Sequence, residues 1–231
     1  MKVNGIDLQK YNAQQLTAEY QPPSLAINYE IITGGLMPVL FQTDMPLGKL
    51  KLCLYFRGKD RSSILRNISS LLENVTKQCI LEVDGYKGRF KGIISQNEYT
   101  KMKVKTCYQV NLEFDGYFYD DEIVLKYEDV TEAVINRMGS RNTPVIVEVY
   151  AKKQLSDYKI SGFEDEITIK QLITGQTIVI DGEAGSVIKN NKNAFANVDI
   201  WKFPAITQQK TILTFSNADA IVQIRYKPMW I

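Results

Sequence analysis

The sequence predicts a mainly β protein, with an N-terminal α+β part (β-sheets with one helix) and a C-terminal antiparallel β-sandwich. Three observations carry this. From Thr177 to Ile231, short β-branched or alternating runs recur between turn-forming clusters. Between Leu50 and Arg57 the segment LKLCLYFR alternates apolar and polar residues without a break. Only Ser62 to Val75 carries apolar residues at helical spacing, so helix is the exception in this chain.

The elements follow in order. Met1 to Leu16 opens with a short strand (KVNGIDL) and a turn at Asn4-Gly5. Paired prolines make Gln21 to Ser24 a loop, since proline suits neither a helix interior nor a central strand. Leu25 to Thr33 reads as a strand broken by Gly34-Gly35, and Met37 to Gln42 as another. In Leu50 to Arg57 the alternation puts Leu50, Leu52, Leu54 and Phe56 on one face. The corner Gly58-Lys59-Asp60-Arg61 leads into the helix, whose start Asp60 or Ser62 can cap. Its apolar stripe is Ile64, Leu65, Ile68, Leu71, Leu72 and Val75, suited to packing on its own sheet or to meeting a partner helix.

Strands resume at Lys77 to Val83, turn at Asp84-Gly85, and continue from Tyr86 to Ile94. Lys101 to Phe114 begins with Lys101, Lys103 and Lys105 facing one way, which reads as a solvated face that blunts edge pairing or as a basic surface near DNA. The acid-rich tract Asp120 to Asp129 reads as a connector, and the domain boundary falls near Glu132. Beyond it come a strand from Ala133, a Gly-centred turn, a strand opened by Pro144, and ITIKQLI after Glu164-Asp165-Glu166. Then follow Thr177 to Ile180, Ser186 to Lys189, an Asn/Lys turn at Asn190 to Asn193, Thr211 to Phe215, and the alternating Ala220 to Tyr226.

Composition narrows the chemistry. The 231 residues suffice for one large β domain or two ordinary ones. Net charge is +2, which favours neither a nucleic-acid binder nor an acidic tail. The chain has no histidine, which excludes Ser-His-Asp and Cys-His catalysis and His-containing zinc sites together. Cys53, Cys79 and Cys107 are far apart, odd in number and read as buried free thiols. The N-terminus has no apolar signal core and no run approaches a membrane span, so folding in a cytoplasm is expected.

The ordered C-terminal features carry a resemblance. A strand ending in Ile180-Asp181, an Asn-containing turn, Trp201-Lys202-Phe203-Pro204, a strand before a small polar turn, and the terminal Tyr226-Lys227-Pro228-Met229-Trp230 together resemble the C-terminal half of siphophage distal tail (Dit) proteins. The series strand, helix, strand and hairpin, then Phe114-Asp115-Gly116-Tyr117-Phe118-Tyr119-Asp120, is similar to their N-terminal part. The resemblance implies a ring-forming domain over 1–132 and a galectin-like sandwich over 133–231. It also implies a virion protein, synthesised in the host cytoplasm, whose six copies form a ring at the tail tip. That ring joins the tail tube protein to a tail-associated (tail fibre) protein, the baseplate or receptor-binding proteins, and DNA passes through it without sequence-specific binding. No catalysis, cofactor, metal or membrane is expected. Arg57, Lys59 and Asp60, at a corner where a loop can reach a neighbour, are the candidate ring contacts.

Other chemistry fits less well. Gly182-Glu183-Ala184-Gly185 leads into a strand, so no helix N-terminus is present to cradle phosphate. Asp181 with Glu183, or Asp120, Asp121 and Glu122, read as solvated turns before they read as glycosidase carboxylates or a calcium site. Trp201 and Trp230 are expected in a core or an interface. The competing function is a carbohydrate-binding module that attaches the particle to a host wall, which needs an exposed aromatic on the sandwich.

Overall fold

The computed structural model describes residues 1–231 apart from 25, 32, 34–36, 38, 45, 102–105 and 231. The expected strands Leu25 to Thr33 and Met37 to Gln42, the Gly34-Gly35 break and the lysine alternation at 101–105 lie partly or wholly outside the described residues. A hairpin of Ala26–Glu30 with Val39–Asp44 is described in that region. The chain divides into two compact units, Met1–Tyr119 and Asp120–Trp230.

In the first unit the strand Gly48–Arg57 buries Leu50, Leu52, Leu54 and Phe56 on one face, as a period of two requires. Antiparallel pairing with Cys107–Tyr119 sets Leu50 opposite Phe114, Leu52 opposite Leu112 and Leu54 opposite Val110, so the two apolar faces coincide. The helix α1, Arg61–Val75, packs here through Ile64, Ile68, Leu71 and Val75. The apolar stripe is thus a contact of the unit's own core. Leu65 departs from it and is 46% exposed, because it sits one residue round the helix from Ile64.

Along this sheet the strands run Ile6–Asp7, Lys2–Val3, Cys79–Glu82, Arg89–Lys101, Cys107–Tyr119, Gly48–Arg57 and Ala13–Gln21. The last of these has no readable alternation, because a bulge between Gln15 and Thr17 resets its register. Its outer edge is covered from within the unit. The Gln15 side-chain amide donates to the Asp84 carbonyl (3.0 Å) and its oxygen accepts from the Asp84 amide (3.1 Å), while the Tyr20 amide donates to the Tyr86 hydroxyl (2.9 Å).

Gly48, Gly116 and Gly92 lie side by side on three neighbouring strands. A Cβ on Gly116 would come 2.7 Å from the Phe90 ring and one on Gly92 2.6 Å from it, while a Cβ on Gly48 would collide with Tyr20. The three glycines therefore form a trough in which Tyr20 and Phe90 lie against backbone. Both rings then meet Phe118 edge-on, at 5.1 and 5.2 Å between centroids.

The second unit is an antiparallel sandwich. One sheet runs Ile123–Glu128, Ala220–Tyr226, Thr143–Ala151, Thr177–Asp181, Ser186–Lys189 and Lys192–Asn193. The other runs Glu132–Asn136, Lys210–Phe215, Leu155–Ser161, Ile167–Leu172 and Val198–Asp199. Their inner faces share one core, with Val145, Val147, Val149, Ile180 and Ile224 on one side and Ile135, Tyr158, Ile160, Ile169 and Leu213 on the other.

Two details differ from the sequence reading. The acid-rich tract is more than a connector: Ile123–Glu128 pairs with Ala220–Tyr226 along its whole length, with Ile123, Leu125 and Tyr127 packed on the sandwich core. The residues just before the 132/133 boundary are therefore part of the second unit. The strand Leu155–Ser161 also went unread, because Asp157, in the left-handed region with φ of 47°, interrupts its alternation without shifting its register.

Candidate assembly surfaces

At the corner between the strand Gly48–Arg57 and α1, Asp60 is the helix N-cap. Its carboxylate accepts from the Ser63 amide (2.7 Å), and the Ser63 side chain closes a capping box with the Asp60 backbone. The Ser63 amide holds the Asp60 carboxyl below the usual aspartate range. The preceding Gly58 sits where a Cβ would come 2.6 Å from Ile64, and its amide donates to the Thr106 carbonyl (3.1 Å). Arg57 and Lys59 are exposed and have no ion-pair partner among the described residues. The three predicted contact residues are thus brought together, but Asp60's carboxylate serves its own helix.

The face of this sheet away from α1 is polar. Register sets Glu19, Lys51, Glu113 and Gln96 in one row and Gln21, Lys49, Asp115 and Ile93 in the next. A third row is Thr17, Cys53, Asn111 and Glu98. Lys51 lies 3.4 Å from Glu113, and Lys49 lies 3.8 Å from Glu113 and 3.9 Å from Asp115. Lys49 and Lys51 are thus paired with Glu113 and Asp115, and Arg57, Lys91 and Arg89 fall on the same face beyond these rows.

In the second unit the two tryptophans part company. Trp230 is 38% exposed and its indole N–H donates to Asp120 (2.7 Å), which gives that carboxylate a structural partner. Trp201 is 96% exposed, so the expectation of a core position fails. The cause is local. The Asp165 carboxylate accepts from the backbone amides of Trp201 (2.5 Å) and Lys202 (3.3 Å), and Lys202 bridges to Glu164 (3.2 Å). These bonds, the Trp201 amide foremost, hold the Asp165 carboxyl below its usual range. Phe203 instead turns to the core, beside Phe195 at 6.1 Å, and Pro204 is buried. No motif spacing marks Trp201 as exposed; the signal was the carboxylate tract Glu164 to Glu166, which could cap a neighbouring loop.

The three cysteines are free: Cys79 and Cys107 are buried and Cys53 is half-buried. Burial pushes the Cys79 thiol up to about 11.

Residues 138–230, which lie within the second unit, match the family described as siphovirus-type tail component, C-terminal domain. Over the whole chain the fold is that of the SPP1 Dit protein, described as a paradigm of hub adsorption apparatus in phages infecting Gram-positive bacteria. That likeness has a TM-score of 0.76 at 13% identity and covers 99% of this chain and 98% of the other. Chains of the phage p2 baseplate in its activated conformation, with calcium or strontium, align at TM-scores of 0.53 and 0.52, each at 10% identity. These cover 96% and 95% of this chain and 92% of each of the others. The resemblance to siphophage distal tail proteins read from the sequence is borne out. No curated protein matches the chain.

Proposed function

We propose that the protein is a structural component of the tail tip of a phage, prophage or tail-like particle. Six copies close into a ring that joins the tail tube to the baseplate or receptor-binding proteins. The observation that carries this reading is coverage: the SPP1 Dit fold follows the chain through both units, beyond the residues the family match reaches. A free-standing binding module needs the sandwich alone.

Two features support the finer points. The polar sheet face of the first unit carries Glu19, Glu98, Glu113 and Asp115 together with Lys49, Lys51, Arg57, Lys91 and Arg89, so its charges nearly balance. Such a face does not condense phosphate, since DNA binding draws on a surplus of Lys and Arg. It is suited to line a channel through which DNA slides. At the corner, Arg57 and Lys59 are uncommitted cations, and a head-to-tail contact through them closes when its rotation closes. Asp60 contributes by fixing the corner's shape.

The test is assembly. Purified protein, alone or with neighbouring tail proteins, is expected to give annular particles of six copies by mass measurement and electron microscopy. The double substitution Arg57→Glu with Lys59→Glu is expected to abolish them while leaving thermal stability within a few degrees. Absence of annuli with those proteins supplied would falsify the ring.

A further inference from the structure

The turn Asn4-Gly5 joins the paired strands Lys2–Val3 and Ile6–Asp7, with both residues in the left-handed region at φ of 50° and 77°. Asn-Gly suits a two-residue turn of this kind, and it occurs nowhere else in the chain. The same dipeptide is open to a covalent change. The backbone nitrogen that follows an asparagine can attack its side-chain carbonyl carbon, and a glycine there offers no side chain to hinder the approach. Both residues are exposed, and nothing lies within 4 Å of where a Cβ on Gly5 would stand.

The Asn4 side chain, by contrast, is held at both ends. Its oxygen accepts from the Ile80 amide (2.8 Å), and the Asn4 backbone amide donates to the Ile80 carbonyl (2.8 Å). Asn4 thereby continues the ladder that pairs Lys2 with Glu82 and Val3 with Leu81. Its side-chain NH2 donates to the Asn74 carbonyl (2.8 Å) in the last turn of α1. Carbonyls at that end of a helix have no partner within it. The Glu73 carbonyl accepts from the Thr76 hydroxyl (2.9 Å), and the last turn holds no basic residue. One side-chain amide thus ties the turn to α1 and to Cys79–Glu82. A polar concavity of about 650 Å³, lined by Asn4, Glu73, Asn74, Thr76, Lys77 and Gln78, opens this joint to solvent.

We propose that Asn4 is a modification site that the fold keeps shut: it deamidates through a cyclic imide when the N-terminal hairpin opens, and the product no longer closes the joint. In the reaction the Gly5 nitrogen gives up its proton and bonds to Asn4 Cγ. The bond from Cγ to Nδ2 breaks and ammonia leaves. Water then opens the imide at one carbonyl or the other, which leaves aspartate or isoaspartate at position 4. Attack requires Cγ to swing onto the Gly5 nitrogen, and the bonds to Ile80 and Asn74 prevent this while they last. Local opening of the hairpin therefore sets the rate.

Conversion is one-way, and its effect follows from the joint. A carboxylate at position 4 still accepts from the Ile80 amide. Its second oxygen, with no proton to donate, faces the Asn74 carbonyl at the negative end of the helix dipole. Isoaspartate also lengthens the main chain inside a two-residue turn. The change concerns the first unit alone, so it stands or falls separately from the ring.

The experiment follows the tryptic peptide Val3–Lys10 by mass spectrometry after the full chain has stood in mildly alkaline buffer. In urea the peptide is expected to gain the mass of an amide-to-acid exchange and to become a substrate for isoaspartyl methyltransferase. The folded chain should convert severalfold more slowly. Val3→Ala, which trims a buried side chain next to the turn, should speed conversion in the folded chain. Asn4→Asp should lower the melting temperature. A folded chain that converts as fast as the unfolded one, or a folded rate unmoved by Val3→Ala, overturns the proposal. So does a melting temperature unchanged in Asn4→Asp, or an unfolded chain in which other asparagines convert while Asn4 keeps its amide.

Discussion

At the scale of single residues, the most informative groups are those whose polar atoms are already committed. Asp60 reads from the sequence as a helix cap and as a ring contact, and the capping box shows the first of these roles. Because hydrogen bonding depresses its folded-state pKa, its stabilisation is complete above the unfolded aspartate value of about 3.9 and is lost as pH falls through the lower folded value. Asp60→Ala should therefore lower the melting temperature at neutral pH, and the gap to wild type should close as pH drops below about 4. Thermal melts across that range check this, and a gap that persists at low pH would contradict it. Cys79 offers a second check. Its buried thiol, pushed up to about 11, should resist a thiol reagent at pH 8 in the folded protein and react once denaturant unfolds it. Cys79→Ala identifies the missing equivalent.

At the scale of elements, the alternating strand Gly48–Arg57 and the helix α1 appear almost as the sequence wrote them, since period two and period 3.6 each leave one apolar face. The test is a contrast on one helix. Leu71, 1% exposed, should cost about 2–5 kcal/mol on substitution by alanine. Leu65, beside the same stripe and half exposed, should cost within about 0.5 kcal/mol. Urea unfolding of both variants measures the difference. The strands Ala13–Gln21 and Leu155–Ser161 escaped the sequence because each breaks the period of two: a bulge after Gln15 shifts the register of the first, and Asp157, at positive φ, leaves two successive exposed residues in the second. The trough of Gly48, Gly116 and Gly92 was equally unreadable, since these glycines are far apart in the chain and meet only through strand register.

At the scale of the whole molecule, the two cores share no residue. The division falls ahead of Ile123–Glu128, which supplies a complete strand to the sheet containing Ala220–Tyr226. Residues 120–230 expressed alone should melt cooperatively. A fragment of residues 133–230 should melt lower or aggregate, because it uncovers the edge of Ala220–Tyr226 and strips Leu125 and Tyr127 from the core. Calorimetry on the two fragments settles the point, and equal melting temperatures would return the boundary to 132/133.

What the sequence determined by itself was the class: a β protein with one helix, a terminal sandwich and the ordered residues that tie it to phage tail proteins. Those properties live in local alternation, turn chemistry and motif order, all of which are near-neighbour features of the chain. The tertiary structure alone decided which side chains stay in water. Trp201 and Phe203 are two residues apart and both aromatic, yet Asp165, from a distant turn, fixes the backbone so that one faces solvent and the other the core. Register and long-range capping bonds set exposure, and neither can be read from residues adjacent in the chain.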